Sequence, residues 1–296
     1  MKVAVLGANG QLGSDVCAAF DQNGDEVVAL THADVELTSA PSVNEALSAT
    51  NADFIVNTAA MHHVEKCEAD PGAAFAANAI GAKNLGEWAR KADAAVAFVS
   101  TDYVFDGKKS SPYVENDVAS PLNAYGITKL AGEHYTTASC LKHFILRVSA
   151  IYGLQPCRAK GGLNFVELML KLSRERDKLR VVDDEFVSPT PTVQIARQLV
   201  ALSRSNHYGL YHGTAEGSCS WYEFAREIFR VTGTTVRLEK ADPGEFPAKV
   251  QRPKYSVLEN RALKAAQINV FTDWRQGLAD YLHSRAAEET PATQAR

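Results

Sequence analysis

Short apolar runs alternate with longer segments of helical periodicity through the first half of the chain. The runs that predict strands are Lys2–Leu6, Glu26–Leu30, Phe54–Asn57, Ala94–Ser100 and His143–Val148. The segments that predict helices are Gln11–Gln22, Ser42–Ala49, Pro71–Lys91 and Ala124–Ala138. Apolar strands joined by helix-length connections are typical of a parallel sheet with helices on both faces. We therefore predict a doubly wound α/β fold (a Rossmann fold) that binds ligands at the carboxyl ends of its strands.

The pattern becomes less regular after about Tyr152. Its later elements are predicted at Leu163–Arg174, Val193–Arg204, Leu210–His212 and Ser220–Val231. We divide the chain into a dinucleotide-binding domain, residues 1–152, and a region that forms mainly a smaller substrate-binding lobe, residues 153–285. Some segments of this region are expected to return to the first domain. Residues 286–296 lack apolar periodicity and are predicted to be disordered.

Composition excludes several classes of protein. The 296 residues carry a net charge of −4 without a long basic run, which argues against nucleic acid or an anionic membrane as a partner. No apolar stretch is as long as a membrane span, and the first strand begins without room for a leader peptide. The five cysteines show no ligand spacing, so we expect a reducing cytoplasm and no metal site. Only Cys157, in a polar stretch, is a candidate for reactivity.

A glycine-rich turn follows the first predicted strand and opens the first predicted helix. Its glycines are Gly7, Gly10 and Gly13. Small residues here let the chain turn tightly and let a pyrophosphate approach the backbone N–H groups at the positive end of a helix. Because a strand precedes the turn and a helix follows it, we predict dinucleotide binding.

The end of the second predicted strand leaves the choice between NADH and NADPH open. An acidic residue at this position would bind the adenosine ribose, and a basic residue would bind a 2′-phosphate. Asp34 lies beyond the strand end, and His32 favours a phosphate only when it is protonated. Neither residue decides the cofactor.

Three residues at or after the end of the fourth predicted strand suggest proton transfer to a carbonyl oxygen. Thr101 follows this strand, and Tyr125 and Lys129 lie four residues apart, on one face of a predicted helix. A neighbouring lysine cation would lower the pKa of the tyrosine and ease proton transfer to a substrate oxygen. We expect Thr101 to hold the same oxygen through its hydroxyl group and Lys129 to reach the cofactor's ribose.

Several motifs together resemble the extended short-chain dehydrogenase/reductases and, among them, the dTDP-4-dehydrorhamnose reductase family. They run through nearly the whole chain apart from the tail, and the second and third are the most specific. The motifs are LGANGQLG at Leu6–Gly13, STDYVFDG at Ser100–Gly107, SPLNAYGITKLAGE at Ser120–Glu133, GLNFVELML at Gly162–Leu170, SPT at Ser188–Thr190 and RP at Arg252–Pro253.

This resemblance implies an oxidoreductase of dTDP-rhamnose biosynthesis that uses NADPH or NADH to reduce the C4 keto group of a nucleotide-linked 6-deoxy sugar. The implied catalytic residues are Thr101, Tyr125 and Lys129. The implied cofactor contacts are Gly7, Gly10, Gln11, Leu12, Gly13, His32, Glu36, Leu37, Ala60, Met61, His62, Val99, Tyr125 and Lys129. The implied substrate contacts are Thr101, Asp102, Ala150, Asn164 and Arg252.

Departures from the family's pattern concern the substrate more than the reaction. Ala150 stands where a tryptophan is usual, so an aromatic wall of the sugar site is missing. Glu36 replaces the usual aspartate, and Met61-His62-His63 replaces a stretch with a smaller polar residue. Adjacent histidines seldom face one ion, and no acidic partner at helical spacing accompanies them, so the prediction of no metal site stands.

Two other functions remain open at this point. A sugar-nucleotide epimerase or dehydratase would hold its cofactor tightly without net consumption, although the residues after Asp102 are not the acidic ones of the dehydratases. A non-catalytic NAD(P)-binding regulatory subunit would bind a cofactor without turnover. The sequence does not determine the sugar, the nucleotide base or the oligomeric state, for which a homodimer is one candidate.

Overall fold

The structure is a computed structural model, and it describes residues 1–156, 161–242 and 244–289. Cys157 therefore lies outside the described residues, and so does most of the predicted tail, residues 290–296.

The central element is a six-stranded sheet in which every strand pair is parallel. The strands of the described residues, of which six form this sheet and the others form short two-stranded pairs, are β1 (Lys2–Leu6), β2 (Glu26–Leu30), β3 (Phe54–Asn57), β4 (Ala95–Thr101), β5 (His143–Val148), β6 (Ile151–Tyr152), β7 (Lys178–Val181), β8 (Phe186–Val187), β9 (Thr190–Pro191), β10 (Gly209–His212), β11 (Cys219–Ser220) and β12 (Arg237–Lys240). The order in the sheet is β10-β5-β4-β3-β1-β2, so the chain reverses direction across the sheet between β1 and β3. This reversal places a crevice at the carboxyl ends of the strands and confirms the predicted fold class.

Helices cover both faces of this sheet. They are α1 (Gln11–Gln22), α2 (Ala40–Ser48), α3 (Val64–Ala69), α4 (Pro71–Phe75), α5 (Gly81–Lys91), α6 (Ala124–Ser139), α7 (Phe165–Glu175), α8 (Thr192–Ser203), α9 (Trp221–Thr232), α10 (Arg261–Ala265) and α11 (Trp274–Glu289). None of the described helices is long and apolar enough to cross a membrane.

The helix predicted at Pro71–Lys91 contains one irregular turn. Residues Ala76–Ile80 form a π-turn between α4 and α5. π-turns occur often at functional sites because the extra residue redirects a side chain. Here the turn carries the buried Asn78, which lies next to the candidate site described below.

Separate apolar clusters stabilise the two faces and the smaller lobe. On one face, Val16 of α1 and Leu199 of α8 pack with Val5 of the sheet. On the other face, α2 and α5 pack against the opposite side chains of the same strands. A further cluster joins α7, α9 and α11, with Phe224 and Trp274 at its centre.

The C-terminal region differs from the sequence predictions. The helix α11 was not predicted, and it continues to Glu289, so residues 286–289 of the predicted disordered tail are helical. The helix buries Trp274, Leu278 and Leu282, which lie at helical spacing, against α9 and α7, and this packing stabilises it. The parallel pair of β7 and β12 was also missed because the two short strands lie far apart in the chain.

The first prediction concerns the turn between β1 and α1. A Cβ atom at Gly13 would lie 2.1 Å from the Gly7 carbonyl oxygen, whereas one at Gly10 would lie 3.2 Å from the same atom. We expect Gly13→Ala to lower the free energy of unfolding by about 1–3 kcal/mol, because the backbone must move. Gly10→Ala, the matched control, should lower it less. Urea unfolding without cofactor measures both, and equal stability of the two variants would contradict the steric argument.

Candidate active site

The turn after β1 presents backbone groups to the crevice. Gly7 has a φ of +78°, and Gly10 is the N-cap of α1 without a side-chain cap. The first N–H groups of α1 therefore have no capping side chain, as an anion site at a helix N-terminus requires. Gly13 packs directly on the Gly7 carbonyl, so its role in the turn is steric.

A cleft of about 360 Å³ opens beside this turn. We call it the dinucleotide cleft. Residues such as Asn9, Thr31 and Thr58 line it. Eight of the predicted cofactor residues line it as well, namely Gly7, Gly10, His32, Glu36, Leu37, Ala60, Met61 and His62. The predicted residues thus converge from the ends of β1, β2 and β3 on one cavity.

Six other predicted cofactor residues do not line this cleft: Gly13, Tyr125, Lys129, Gln11, Leu12 and Val99. The last three make other contacts. The Gln11 amide donates to the carbonyl oxygens of Gly153 (3.2 Å) and Gln155 (2.9 Å), and so ties α1 to the loop after β6. The Leu12 and Val99 side chains are buried in the core of the sheet. Leu12 can offer a ligand only its backbone, and the Val99 carbonyl is already bound by Lys129.

The end of β2 carries no fixed cation. The His32 side chain is 87% exposed, and its Nδ1 lies 3.8 Å from a Glu36 carboxylate oxygen. Thr38 donates two hydrogen bonds to the other oxygen of Glu36, which lower the pKa of that carboxyl. Asp34 is bound to the backbone N–H and hydroxyl of Thr31, at 2.8 and 2.7 Å. Within the described residues, no lysine or arginine lines the dinucleotide cleft.

Thr101 and Tyr125 meet at the carboxyl end of β4. The Thr101 hydroxyl interacts with the Tyr125 phenol, and the ring of Tyr103 packs edge-on against Tyr125 at 5.8 Å. Tyr125 lies in the first turn of α6, which Asn123 caps by accepting from the Gly126 N–H at 2.9 Å. Burial raises the pKa of the Tyr125 phenol, and the Thr101 hydrogen bond opposes this rise. The phenol therefore keeps its proton at neutral pH.

Lys129 is buried one turn further along α6, with 2% of its surface exposed. Its Nζ donates to the Val99 carbonyl at 2.7 Å and lies 3.9 Å from the centre of the Phe98 ring. Burial lowers the pKa of Lys129 to about 7, although the Glu133 carboxylate opposes this shift. The predicted lowering of the tyrosine pKa by Lys129 is thus wrong for the protein without cofactor. Desolvation raises the pKa of Tyr125, and it also lowers the pKa of Lys129 and so reduces the positive charge of the lysine.

A buried ion pair lies behind Lys129. Arg147 donates two hydrogen bonds to Glu133, at 2.9 and 2.7 Å, and the Ser100 hydroxyl donates to the same carboxylate at 2.5 Å. Both partners of the pair are almost fully buried. Removal of one partner of such a pair leaves an uncompensated buried charge, so the pair holds β4, β5 and α6 in one arrangement. Sequence analysis missed this pair because a charged residue in an apolar run carries no sign of its partner.

Asn78, in the π-turn, positions the loop at the inner end of the cleft. Its amide accepts from the Met61 N–H and donates to the Met61 carbonyl, both at 2.9 Å. It also donates to the Thr128 hydroxyl at 3.0 Å. Met61 and Tyr125 then pack against the same small cluster around Cys67. Asn78 thus connects the loop that carries Met61 to α6.

Asp102 is hydrogen-bonded within the protein. Its side chain is buried and accepts hydrogen bonds from Ser149 (2.8 Å) and Ser256 (2.5 Å), and it contacts the Thr101 hydroxyl at 3.1 Å. The contact of Asp102 with the sugar stays a prediction. The three hydroxyl groups hold this carboxyl beneath Thr101.

Asn164 also has a structural environment. Its Oδ1 caps α7 by accepting from the Glu167 N–H at 3.0 Å. Its amide donates to the Gly153 carbonyl (3.0 Å) and the Tyr281 hydroxyl (3.2 Å). Both amide protons and the oxygen therefore have protein partners, and the contact of Asn164 with the nucleotide stays a prediction.

Two predicted substrate residues remain at the rim of the site. The Arg252 side chain is 35% exposed and donates to Glu65 at 2.6 Å, a partner that sequence analysis missed. Ala150 has a φ of +44°, an unfavourable backbone angle for alanine. Strained residues of this kind cluster at binding sites. Among the described residues, no group of three His, Cys, Asp or Glu side chains could hold a metal ion.

The comparisons with known proteins agree with this arrangement. The family model of the RmlD substrate binding domain matches residues 1–286. The chain belongs to this family. The RmlD match covers the dinucleotide cleft, the Thr101–Tyr125–Lys129 group and the smaller lobe, and it confirms the resemblance seen in the motifs.

Relatives in the RmlD family are similar over almost their whole length. The spore coat polysaccharide biosynthesis protein SpsK of Bacillus subtilis (strain 168) is 38% identical over 97% of this chain and 98% of its own. The dTDP-4-keto-6-deoxy-D-glucose reductase of Streptomyces niveus is 35% identical over 97% of this chain and 98% of its own.

Solved structures show the same similarity. A dTDP-4-dehydrorhamnose reductase of Clostridium acetobutylicum ATCC 824 has a TM-score of 0.91 at 38% identity, and covers 96% of this chain and 99% of its own. The dTDP-4-dehydrorhamnose reductase of Bacillus anthracis str. Ames, in complex with NADP, has a TM-score of 0.90 at 32% identity, with the same coverage of 96% and 99%.

The buried Lys129 makes a testable contribution to stability. Its pKa is about 7 in the folded protein and near 10.5 when unfolded, so between these values the unfolded chain binds more protons. The free energy of unfolding should therefore rise with pH in this window, by on the order of a few kcal/mol at most. Lys129→Met should remove this rise, and any stability that the variant gains at pH 6.5 should shrink by pH 9.

Urea unfolding at the two pH values measures this difference. Lys91→Met, at the exposed end of α5, is the matched control and should follow the wild type. If the free energy of unfolding changed by the same amount between the two pH values in the Lys129→Met variant and in the wild type, the low pKa of Lys129 would be contradicted.

Proposed function

We propose that this protein uses NADPH or NADH to reduce the C4 keto group of a nucleotide-linked 6-deoxy sugar. The proposed reaction converts dTDP-4-dehydro-L-rhamnose to dTDP-L-rhamnose. The observation that carries the proposal is the juxtaposition of the Thr101 hydroxyl and the Tyr125 phenol, with Lys129 one turn away, at the strand edge that also forms the dinucleotide cleft. The names of the relatives support the substrate class.

The residues of the cleft fit a dinucleotide. The glycine turn leaves the N-terminus of α1 without a side-chain cap, and the cavity extends from it towards Glu36 at one end and Met61 at the other. A bound nicotinamide cofactor supplies the hydride for the reaction. The cofactor contacts predicted from the sequence are part of this proposal, with Leu12 contributing its backbone.

Tyr125 is the proposed proton donor to the sugar oxygen. Its raised pKa keeps the phenol protonated until the oxygen gains negative charge, which suits reduction of a ketone. The Thr101 hydroxyl stabilises the oxygen that carries the charge, and a protonated Lys129 stabilises the phenolate left after the transfer. Tyr103 packs on the Tyr125 ring and limits its rotation.

Arg252 and Ala150 are the proposed substrate contacts. A guanidinium group can bind phosphate oxygens through two parallel hydrogen bonds, which suits the diphosphate of a sugar nucleotide. Ala150, where an aromatic side chain would otherwise stand, leaves space beside the sugar. A cytoplasmic location and a homodimer stay predictions.

The test is consumption of cofactor with dTDP-4-dehydro-L-rhamnose as substrate. Wild-type protein should oxidise NADPH or NADH, and Tyr125→Phe should lower kcat by about 10²–10⁴ because the proton donor is lost. Cofactor binding, measured by fluorescence, should be retained in this variant.

Tyr135→Phe is the matched control, since Tyr135 lies on the same helix and packs against Phe75 near the surface. Its activity should equal that of the wild type. Intact cofactor binding without consumption, for this substrate and for UDP- and GDP-linked 4-keto sugars, would exclude the proposed reductase activity. A tightly held cofactor with no net consumption would instead indicate an epimerase.

A further inference from the structure

The buried carboxyl of Asp102 lies directly behind the proposed catalytic group. It is 4% exposed, and its side-chain partners are three hydroxyl groups, those of Ser149, Ser256 and Thr101. No salt bridge to this carboxyl occurs within the described part of the chain. A buried carboxylate without a cation is costly, whereas a neutral carboxylic acid is not.

The two serines determine which oxygen can carry a proton. Both Ser149 and Ser256 contact Oδ2 of Asp102, and neither hydroxyl has another hydrogen-bond partner among the described residues. Each serine therefore donates its proton to Oδ2. Two donated hydrogen bonds occupy both lone pairs of this oxygen, so an acid proton belongs on Oδ1.

The other oxygen, Oδ1, lies 3.1 Å from the Thr101 hydroxyl. The Thr101 oxygen also accepts from the Tyr103 backbone N–H at 3.2 Å, and its hydroxyl interacts with the Tyr125 phenol. A hydroxyl group has one proton to donate and two lone pairs. Thr101 therefore cannot donate to both Asp102 and Tyr125.

Two arrangements satisfy this count. If Asp102 is ionised, Thr101 donates its proton to Asp102 and has none left for Tyr125 or for the reacting oxygen. If Asp102 is neutral, its acid proton and the Tyr103 N–H occupy both lone pairs of Thr101. The Thr101 proton is then directed to Tyr125 or to the reacting oxygen.

We propose that Asp102 is a positioning residue held as a neutral carboxylic acid, whose proton is donated to Thr101 and makes the Thr101 hydroxyl an obligatory donor towards the reacting oxygen. The part of this proposal that concerns the reacting oxygen rests on the proposed reductase function. Burial raises the pKa of Asp102, and the hydrogen bonds from Ser256, Ser149 and Thr101 oppose this rise without a compensating cation.

This arrangement matters when charge develops on the sugar oxygen. A donor whose direction is already set stabilises that charge without reorganisation. It also links the site to the C-terminal region, because Ser256 lies in the segment that carries Arg252.

Infrared difference spectroscopy tests the protonation state without substrate. The wild-type spectrum minus that of Asp102→Asn, at pH 7, should contain the carbonyl stretch of a protonated carboxylic acid. The subtraction is needed because burial also raises the pKa of Asp15 and Glu185. In Ser256→Ala this band should persist and move to higher wavenumber, because Oδ2 then accepts one hydrogen bond fewer. Carboxylate bands in place of the acid band would overturn the proposal.

Kinetics test the consequence for Thr101. Thr101→Val should lower kcat by about 10²–10³, the usual cost of one lost donor to a developing oxyanion. Asp102→Ala should approach the same loss, and Asp102→Asn should recover most of the activity, because an amide N–H can donate to Thr101 as the acid proton does. A folded Asp102→Asn protein as inactive as Thr101→Val would contradict the proposal.

The two experiments separate this proposal from the function on which it rests. The infrared bands need neither substrate nor cofactor, so they report the state of Asp102 even if the dTDP sugar is not the substrate. A protonated Asp102 in a protein that reduces no 4-keto sugar would disprove the proposed function alone. An ionised Asp102 in an active reductase would disprove the inference alone.

Discussion

The close approach of the Thr101 hydroxyl to the Tyr125 phenol depends on almost every feature of the fold. Thr101 ends β4 in the middle of the parallel sheet, and Tyr125 begins α6, which packs across that sheet. The two meet only because Asn123 caps α6 and the ion pair of Glu133 with Arg147 fixes the helix to the strands. A small shift of α6 along the sheet would separate them.

Burial has opposite effects on the two titratable groups of this site. It raises the pKa of Tyr125 and lowers that of Lys129, so both shifts are towards the neutral form in the protein without cofactor. Tyr125 is therefore a neutral acid and not an activated phenolate, and Lys129 beside it loses its proton more readily than an exposed lysine does. Whatever binds in the dinucleotide cleft changes this balance through its own charge.

The sequence predicted most of the Rossmann fold because its strands are continuous apolar runs and its helices have a clear period. It predicted Thr101, Tyr125 and Lys129 because their spacing places them on one strand end and one helix face. It could not predict the partners of Asp102, since Ser256 is 154 residues away and a serine in a loop carries no signal. It also assigned Asn164 to a ligand, although an asparagine before a helix is equally suited to cap it.

The central claim is that Tyr125 and Thr101 serve a net hydride transfer to a sugar carbonyl, and isotopic labelling of the cofactor tests it most directly. The protein would be supplied with NADPH or NADH deuterated on the transferred face of the nicotinamide, together with dTDP-4-dehydro-L-rhamnose. Our account predicts one deuterium at C4 of the product sugar for each cofactor oxidised. An unlabelled C4, or a labelled product without oxidation of the cofactor, would contradict it.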